Sequence, residues 1–253
     1  MIGVYKEEIN EIPSLIVVDA SMENEKLPAI IKMHGFTSAK EHNLDLAYLL
    51  AEKGFRVILP DSVHHGERDM GIPPMKRTLA FWEIVMQNLK DIESIKSFLE
   101  EKQWLKDNRI GIAGTSMGGI TVSAALTQFP WIKTSVILMG SPKISEFAKE
   151  LVDSYRKMIN LPFSDEMIDQ LYDRLEAIDL SKQPEKLNNR PLLFWHGEND
   201  SVVPFNHSHS FYKEAKSFYE NPGDIKYLKE ENRDHKVSRP AKLETVKWFK
   251  EHL

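Results

Sequence analysis

Short apolar runs alternate with amphipathic stretches along almost the whole chain. The runs are rich in β-branched residues and end in polar or glycine-containing turns, a pattern that predicts strands. The stretches between them repeat apolar residues at helical intervals, which predicts helices. Strands that alternate with helices over this length indicate an α/β fold, with a mostly parallel sheet and helices on both of its faces.

The bounds of the predicted elements follow from the positions where the pattern changes. The predicted strands cover 15–18, 29–33, 55–60, the run from 109 into a glycine-rich turn, 134–139 and 224–229. The segment 191–200 predicts a further strand that ends in an acidic turn, and 202–204 is expected to continue it. The predicted helices cover 43–53, 78–99, 120–129, 205–219 and 240–253. The first two strands are expected to be neighbours, and the last strand is expected near an edge of the sheet.

Between 143 and about 180 the alternation is interrupted, because two helical patterns follow each other with no strand between them. An insertion at this point, after a strand and near a glycine-rich turn, predicts a small helical cap over about 142–182. Two ordinary packing helices are the alternative. Residues 1–253 are otherwise expected to form a single domain, since no repeat, low-complexity tract or flexible linker divides them.

Composition and charge exclude several classes of function. Of the 253 residues 42% are hydrophobic, which is enough for a sizeable core. A net charge of −5, with lysines interleaved among glutamates, predicts no binding to nucleic acid or to an acidic membrane surface. The chain has no cysteine, so disulfides and thiolate sites are excluded. A charged N-terminus and no membrane-length apolar run predict a cytoplasmic protein, while the oligomeric state stays open.

The segment 114–118, Gly-Thr-Ser-Met-Gly, joins an apolar run to a helical pattern. It predicts a strand, a sharp turn and a helix, with Ser116 at the apex. Such a turn requires small residues two positions before and after the serine, and both are glycines here. The start of the helix directs unpaired backbone N–H groups toward the same place, a geometry that suits a serine attacking a carbonyl carbon.

Ser116, Asp200 and His235 each follow a predicted strand, and this order resembles that of the α/β-hydrolase fold over nearly the whole chain. The segments 109–119 and 196–204 resemble the single-domain serine esterases of the prolyl oligopeptidase and dienelactone hydrolase branch. The cysteine nucleophile of dienelactone hydrolases proper is absent, and the chain has no room for the propeller domain of prolyl oligopeptidases proper. The resemblance therefore implies acyl transfer to water through a serine ester.

The resemblance also implies a role for each site residue. Ser116 would be the nucleophile, His235 the general base, and Asp200 the carboxylate that orients the histidine. The backbone N–H groups of Phe36 and Met117 would form the oxyanion hole.

Other acids and histidines compete for these roles. Glu198 lies two residues before the favoured acid and is the alternative to it. His235 is favoured among nine histidines because it alone lies between the last predicted strand and the last helix. His34 and His196 are expected to shape the oxyanion and acid loops. His207 and His209 are expected at the exposed start of a helix. The loop 61–69 contains two histidines, but its spacing matches no standard zinc pattern, so no metal or cofactor is expected.

The sequence thus predicts a serine hydrolase that cleaves small carboxylic esters, with the acyl group in a modest apolar pocket under the inserted helices. The candidate pocket residues are Trp82, Met86, Phe147 and Tyr155, although side chains of these types at helical spacing also occur as plain core. A peptidase or thioesterase would use the same machinery. A non-catalytic ligand-binding protein of this fold is the alternative from another class. Such a protein has no need of the complete triad of Ser116, Asp200 and His235, and this argues against it.

Overall fold

A computed structural model describes all 253 residues and contains one eight-stranded sheet. Its strands are β1 (Ile2–Ile9), β2 (Ile12–Asp19), β3 (Leu27–Met33), β4 (Arg56–Pro60), β5 (Leu105–Thr115), β6 (Thr134–Leu138), β7 (Leu192–Gly197) and β8 (Ile225–Glu230). They lie in the order β1-β2-β4-β3-β5-β6-β7-β8. β3 to β8 are parallel to one another, and the two antiparallel pairings are those of β2 with β1 and of β2 with β4, which confirms the predicted mostly parallel sheet.

Helices cover both faces of the sheet, as predicted. They are α1 (Leu44–Ala51), α2 (Pro74–Leu79), α3 (Phe81–Glu101), α4 (Met117–Gln128), α5 (Ile144–Met158), α6 (Asp165–Glu176), α7 (Phe205–Ala215) and α8 (Arg239–His252). Side chains of α3, α4, α5 and α7 belong to one hydrophobic cluster, and those of α1 and α8 belong to a second. None of these helices combines the length and apolar character that crossing a membrane requires.

Two predictions about strands are wrong. β2 and β3 are not neighbours, because β4 lies between them. Residues 202–204 do not continue β7, which ends at Gly197. The N–H groups of Val202 and Val203 donate instead to the carboxylate of Asp200, so the chain turns back at this point. β1, which was not predicted, pairs with β2 over its full length at the edge of the sheet.

The predicted helix 78–99 is in fact two helices, α2 and α3, that meet at Ala80. Ala80 has φ −83° and ψ 3°, outside helical geometry, so α3 begins anew at Phe81. The two inserted helices, α5 and α6, lie between β6 and β7 within the predicted range. They pack over the start of α3, where the ring centroids of Trp82 and Phe147 are 6.2 Å apart.

Candidate active site

Ser116 lies at the turn between β5 and α4, with φ 54° and ψ −116°. This conformation is costly for a residue with a side chain, as expected at a strained turn. The flanking glycines are required by close contacts. A Cβ on Gly114 would lie 2.0 Å from the carbonyl oxygen of Gly118, and one on Gly118 would lie 2.3 Å from that of Met33. The Ser116 N–H donates to the Leu138 carbonyl at 2.9 Å, which fixes the turn against β6.

The side chains of Ser116, His235 and Asp200 form one chain of hydrogen bonds. His235 Nε2 lies 2.8 Å from Ser116 Oγ, and His235 Nδ1 lies 2.6 Å from Asp200 Oδ2. The three residues follow β5, β8 and β7, whose carboxyl ends share one edge of the sheet. The alternative acid, Glu198, is exposed and pairs with Lys229 at 3.0 Å.

The Asp200 carboxylate has four hydrogen-bonding partners. Its Oδ2 contacts His235 and, at 3.0 Å, Nε2 of His196, while its Oδ1 accepts from the N–H groups of Val202 at 2.8 Å and Val203 at 3.0 Å. Burial raises the pKa of Asp200, but these hydrogen bonds outweigh that effect and hold the pKa well below its usual range. The group is therefore an anion at neutral pH and can stabilise a positive charge on His235.

His196 extends this network away from the serine. Its Nδ1 lies 2.8 Å from Ser208 Oγ, which in turn lies 2.9 Å from the hydroxyl of Tyr227. Burial raises the pKa of Tyr227 far above its ordinary value, so its phenol stays neutral. The sequence assigns His196 to the acid loop, but no spacing signal links it to Ser208 and Tyr227, and their contacts were missed.

Phe36 lies in the loop after β3, which packs directly against the serine. A Cβ on Gly35 would lie 3.5 Å from the Cβ of Ser116. His34 Nδ1 lies 2.8 Å from the Gly35 carbonyl oxygen, and because a trans peptide directs its N–H opposite to its C=O, this contact fixes the direction of the Phe36 N–H. That N–H donates to no group of the protein. Met117 begins α4, where helical N–H groups have no acceptor within the helix.

Two neutral histidines support this loop. The Ser62 N–H donates to His34 Nε2 at 2.9 Å, so the proton of His34 is on Nδ1. Burial lowers the pKa of His34 to about 4. His65, in the loop 61–69, accepts from the Thr37 N–H at 3.1 Å through Nε2, and burial lowers its pKa as well.

The prediction that His207 lies at an exposed helix start is wrong. His207 is 3% exposed, because α5 of the insertion covers the start of α7. Its Nδ1 lies 3.1 Å from Ser141 Oγ, its Nε2 lies 3.3 Å from a carboxylate oxygen of Glu150, and its ring packs against Phe147. His207 therefore joins α7 to the inserted helix.

An apolar cavity of about 220 Å³ lies between the start of α3 and the inserted helices. Of the four candidate pocket residues, Trp82 and Tyr155 line it. Phe147 lies outside the wall and packs against Trp82. Met86 lies in a separate surface groove with Leu89, so the four residues do not form one pocket. The physical reason is the rise of the helix, since Met86 lies about 6 Å farther along α3 than Trp82, whereas the inserted helices that wall the cavity pack over the start of α3.

Aromatic rings connect this cavity to the loop beside the serine. The ring centroids of Phe36 and Phe81 are 5.6 Å apart, and those of Phe81 and Trp82 are 5.0 Å apart. Phe36 also lines an open cleft of about 340 Å³ that contains Ser116 and His235. The hydroxyl of the serine is therefore accessible from a cleft that adjoins an apolar cavity.

Comparison with known proteins identifies relatives of this chain in sequence and in structure. Residues 45–253 match the prolyl oligopeptidase family. The chain is 46% identical to "Putative esterase YitV" of Bacillus subtilis (strain 168) over 100% of both chains, and 30% identical to "Esterase YjfP" of Escherichia coli (strain K12) over 82% of each. The crystal structure of TT1662 from Thermus thermophilus superposes with a TM-score of 0.78 at 18% identity, covering 99% of this chain and 98% of that one, which shows the shared fold. The chain therefore belongs to the prolyl oligopeptidase family and, as predicted, is a hydrolase of the esterase group with the α/β-hydrolase fold.

Proposed function

We propose that the protein hydrolyses small carboxylic esters through an ester intermediate on Ser116. The observation that carries this proposal is the position of the His235 ring, which is hydrogen-bonded to the Ser116 hydroxyl through one nitrogen and to the Asp200 carboxylate through the other. A serine hydroxyl is a weak nucleophile at neutral pH, and an adjacent imidazole held in one tautomer removes that limitation.

In the proposed first step, His235 Nε2 accepts the proton of the Ser116 hydroxyl while Oγ bonds to the carbonyl carbon of the ester. The positive charge that forms on the imidazole is stabilised by the Asp200 anion. As the tetrahedral intermediate collapses, the carbon–oxygen bond to the leaving group breaks and His235 returns its proton to that oxygen. Water then repeats the sequence, with its proton accepted by His235, to release the acid and free Ser116.

The negative charge on the carbonyl oxygen would be stabilised by the N–H groups of Phe36 and Met117. The Phe36 N–H is directed by the His34 contact and has no acceptor in the protein. Met117 adds a donor at the positive end of the α4 dipole. Loss of one such donor typically costs on the order of 100- to 1,000-fold in rate.

We place the acyl group in the apolar cavity next to Phe36. Its walls include Trp82 and Tyr155, and the Phe147 ring supports Trp82 from behind. In this arrangement the insertion at about 142–182 acts as a cap on a single domain of residues 1–253. A small apolar acyl group fits these walls better than a charged or extended chain does.

A fluorophosphonate probe tests the nucleophile directly, because it forms a covalent adduct with an activated serine. We expect one adduct on Ser116 by mass spectrometry, none in Ser116→Ala, and a much slower reaction in His235→Ala. Ser217→Ala, at an exposed position, is the matched control and should react like the wild type. Absence of an adduct in the wild type would favour a non-catalytic ligand-binding protein.

A substrate series tests the ester preference. We expect p-nitrophenyl esters with short acyl chains to be hydrolysed with a higher kcat/KM than matched thioesters or aminoacyl anilides. If thioesters or anilides are cleaved as fast or faster, the protein is a thioesterase or a peptidase with the same triad.

A further inference from the structure

Lys32, the residue before the end of β3, is buried without a charged partner. Its side chain is 2% exposed and stands among strands and helices of the second hydrophobic cluster. The ammonium donates to the hydroxyl of Thr115 at 2.7 Å and to the carbonyl of Met33 at 2.9 Å, and it forms no ion pair. Two charged groups that influence it, Asp45 of α1 and Lys242 of α8, are paired with each other. Burial lowers the pKa of Lys32 to about 7.

The contacts of Lys32 join two strands that matter for the proposed reaction. β3 and β5 are parallel neighbours, with Lys32 opposite Ala113 in the register. The loop that carries the Phe36 N–H leaves the end of β3, and the turn that carries Ser116 leaves the end of β5. Lys32 is bonded to the last residue of each strand, Met33 and Thr115, and so connects the two segments from which the oxyanion donors project.

We propose that Lys32 is a positioning residue that fixes the distance between the Phe36 loop and the Ser116 turn. A lysine amine suits this role because, whether charged or neutral, it has enough N–H donors to reach a carbonyl and a hydroxyl on two different strands at once. The inference rests on the proposed ester hydrolysis, because it concerns the donors that stabilise the oxyanion in that reaction.

Because the Lys32 amine is buried, stability and activity measured together distinguish a positioning role from a purely structural one. A buried ammonium without a carboxylate is destabilising, and an apolar side chain of similar length is often neutral or stabilising in its place. If Lys32 serves only the fold, its replacement should alter the melting temperature and leave the activity of folded molecules unchanged. If it positions the donors, catalysis should fall while the fold remains stable.

The experiment compares Lys32→Met, Thr115→Val and Thr115→Ser with the wild type, measuring kcat and KM for p-nitrophenyl acetate and the melting temperature. Lys32→Met and Thr115→Val are expected to lower kcat by about 10- to 100-fold, less than the loss of a whole donor, with KM nearly constant. The melting temperature of Lys32→Met should be unchanged or higher. Thr115→Ser keeps the hydroxyl and should recover most of the kcat lost in Thr115→Val.

Wild-type kcat in Lys32→Met, or a loss of kcat that only follows a lower melting temperature, overturns the positioning role and leaves the proposed function intact. A Thr115→Ser variant as slow as Thr115→Val overturns it too, because the hydroxyl contact would then be irrelevant. A wild-type enzyme that hydrolyses no ester and forms no fluorophosphonate adduct overturns the proposed function and this inference with it.

Discussion

Replacement of His34 by glutamine should remove a pH-dependent part of the protein's stability. His34 is completely buried at the end of β3 and is held as a neutral ring between the Ser62 N–H and the Gly35 carbonyl. Protonation of Nε2 would break the contact with Ser62 and place a charge in the interior. His34→Gln offers an amide oxygen to the same N–H but cannot titrate in this range.

The magnitude follows from the two pKa values of the ring. Burial lowers the pKa of His34 to about 4 in the folded protein, whereas a histidine in an unfolded chain titrates near ~6.5. Because the folded-state pKa is the lower one, the stabilisation is complete above about pH 6.5 and is lost progressively until the pH falls through about 4. At roughly 1.4 kcal/mol per pH unit, His34 should cost the wild type about 2 kcal/mol of unfolding free energy between pH 7 and pH 5.

Urea unfolding of the wild type and of His34→Gln at about pH 7 and pH 5 measures this effect, as the difference between the two proteins at each pH. We expect that difference to shift by about 2 kcal/mol in favour of the variant at the lower pH, whatever its value at pH 7. His42→Gln, at an exposed position, controls for the loss of a histidine as such and should shift by less than about 0.5 kcal/mol. An equal difference at both pH values for His34→Gln would refute the neutral, buried state of this ring.

Three further substitutions test the Asp200 carboxylate, the close packing of the serine turn and the apolar cavity. Asp200→Asn should lower kcat by about 10,000-fold in the ester assay, because the amide cannot stabilise the imidazolium, whereas Glu198→Gln, on the surface, should stay within about 2-fold of the wild type. Gly118→Ala should lower the free energy of urea unfolding by about 3 kcal/mol, because its methyl group would lie 2.3 Å from a backbone carbonyl oxygen, while Gly223→Ala, in an exposed turn, should change it little. Trp82→Ala should raise KM for longer acyl chains more than for acetate if the cavity holds the acyl group.

The central strands and the site residues that follow them can be predicted from the sequence, and the reason is physical. Parallel strands buried on both faces are continuous apolar runs, and functional residues follow them directly because the carboxyl ends meet at one edge. Ser116 and Asp200 are therefore visible in the sequence. β1 is not, because no residue before Ile9 in this edge strand is fully buried and its charged run from Lys6 to Glu8 resembles a surface segment.

Features that depend on how distant segments of the chain pack together could not be predicted. Periodicity identifies a strand but not its neighbour, so the insertion of β4 between β2 and β3 was missed. The burial of His207 depends on where the inserted helix α5 packs, which no local pattern specifies. Lys32 carries no signal in the sequence either, because a lysine near the end of an apolar run usually marks the point where the strand reaches solvent.

The precision of the site depends on backbone contacts between the acid and histidine loops rather than on side chains alone. The Glu198 N–H donates to the Glu230 carbonyl at 3.0 Å, and the Asn199 N–H donates to the Arg233 carbonyl at 2.9 Å. The loops approach so closely that a Cβ on Gly197 would lie 2.5 Å from the Arg233 carbonyl oxygen. Since these contacts connect the segments just before Asp200 and His235, the backbone sets the separation of the Asp200 carboxylate and the His235 ring. The serine reaches the same point from β5 through a rigid turn, so the geometry exists before any substrate binds.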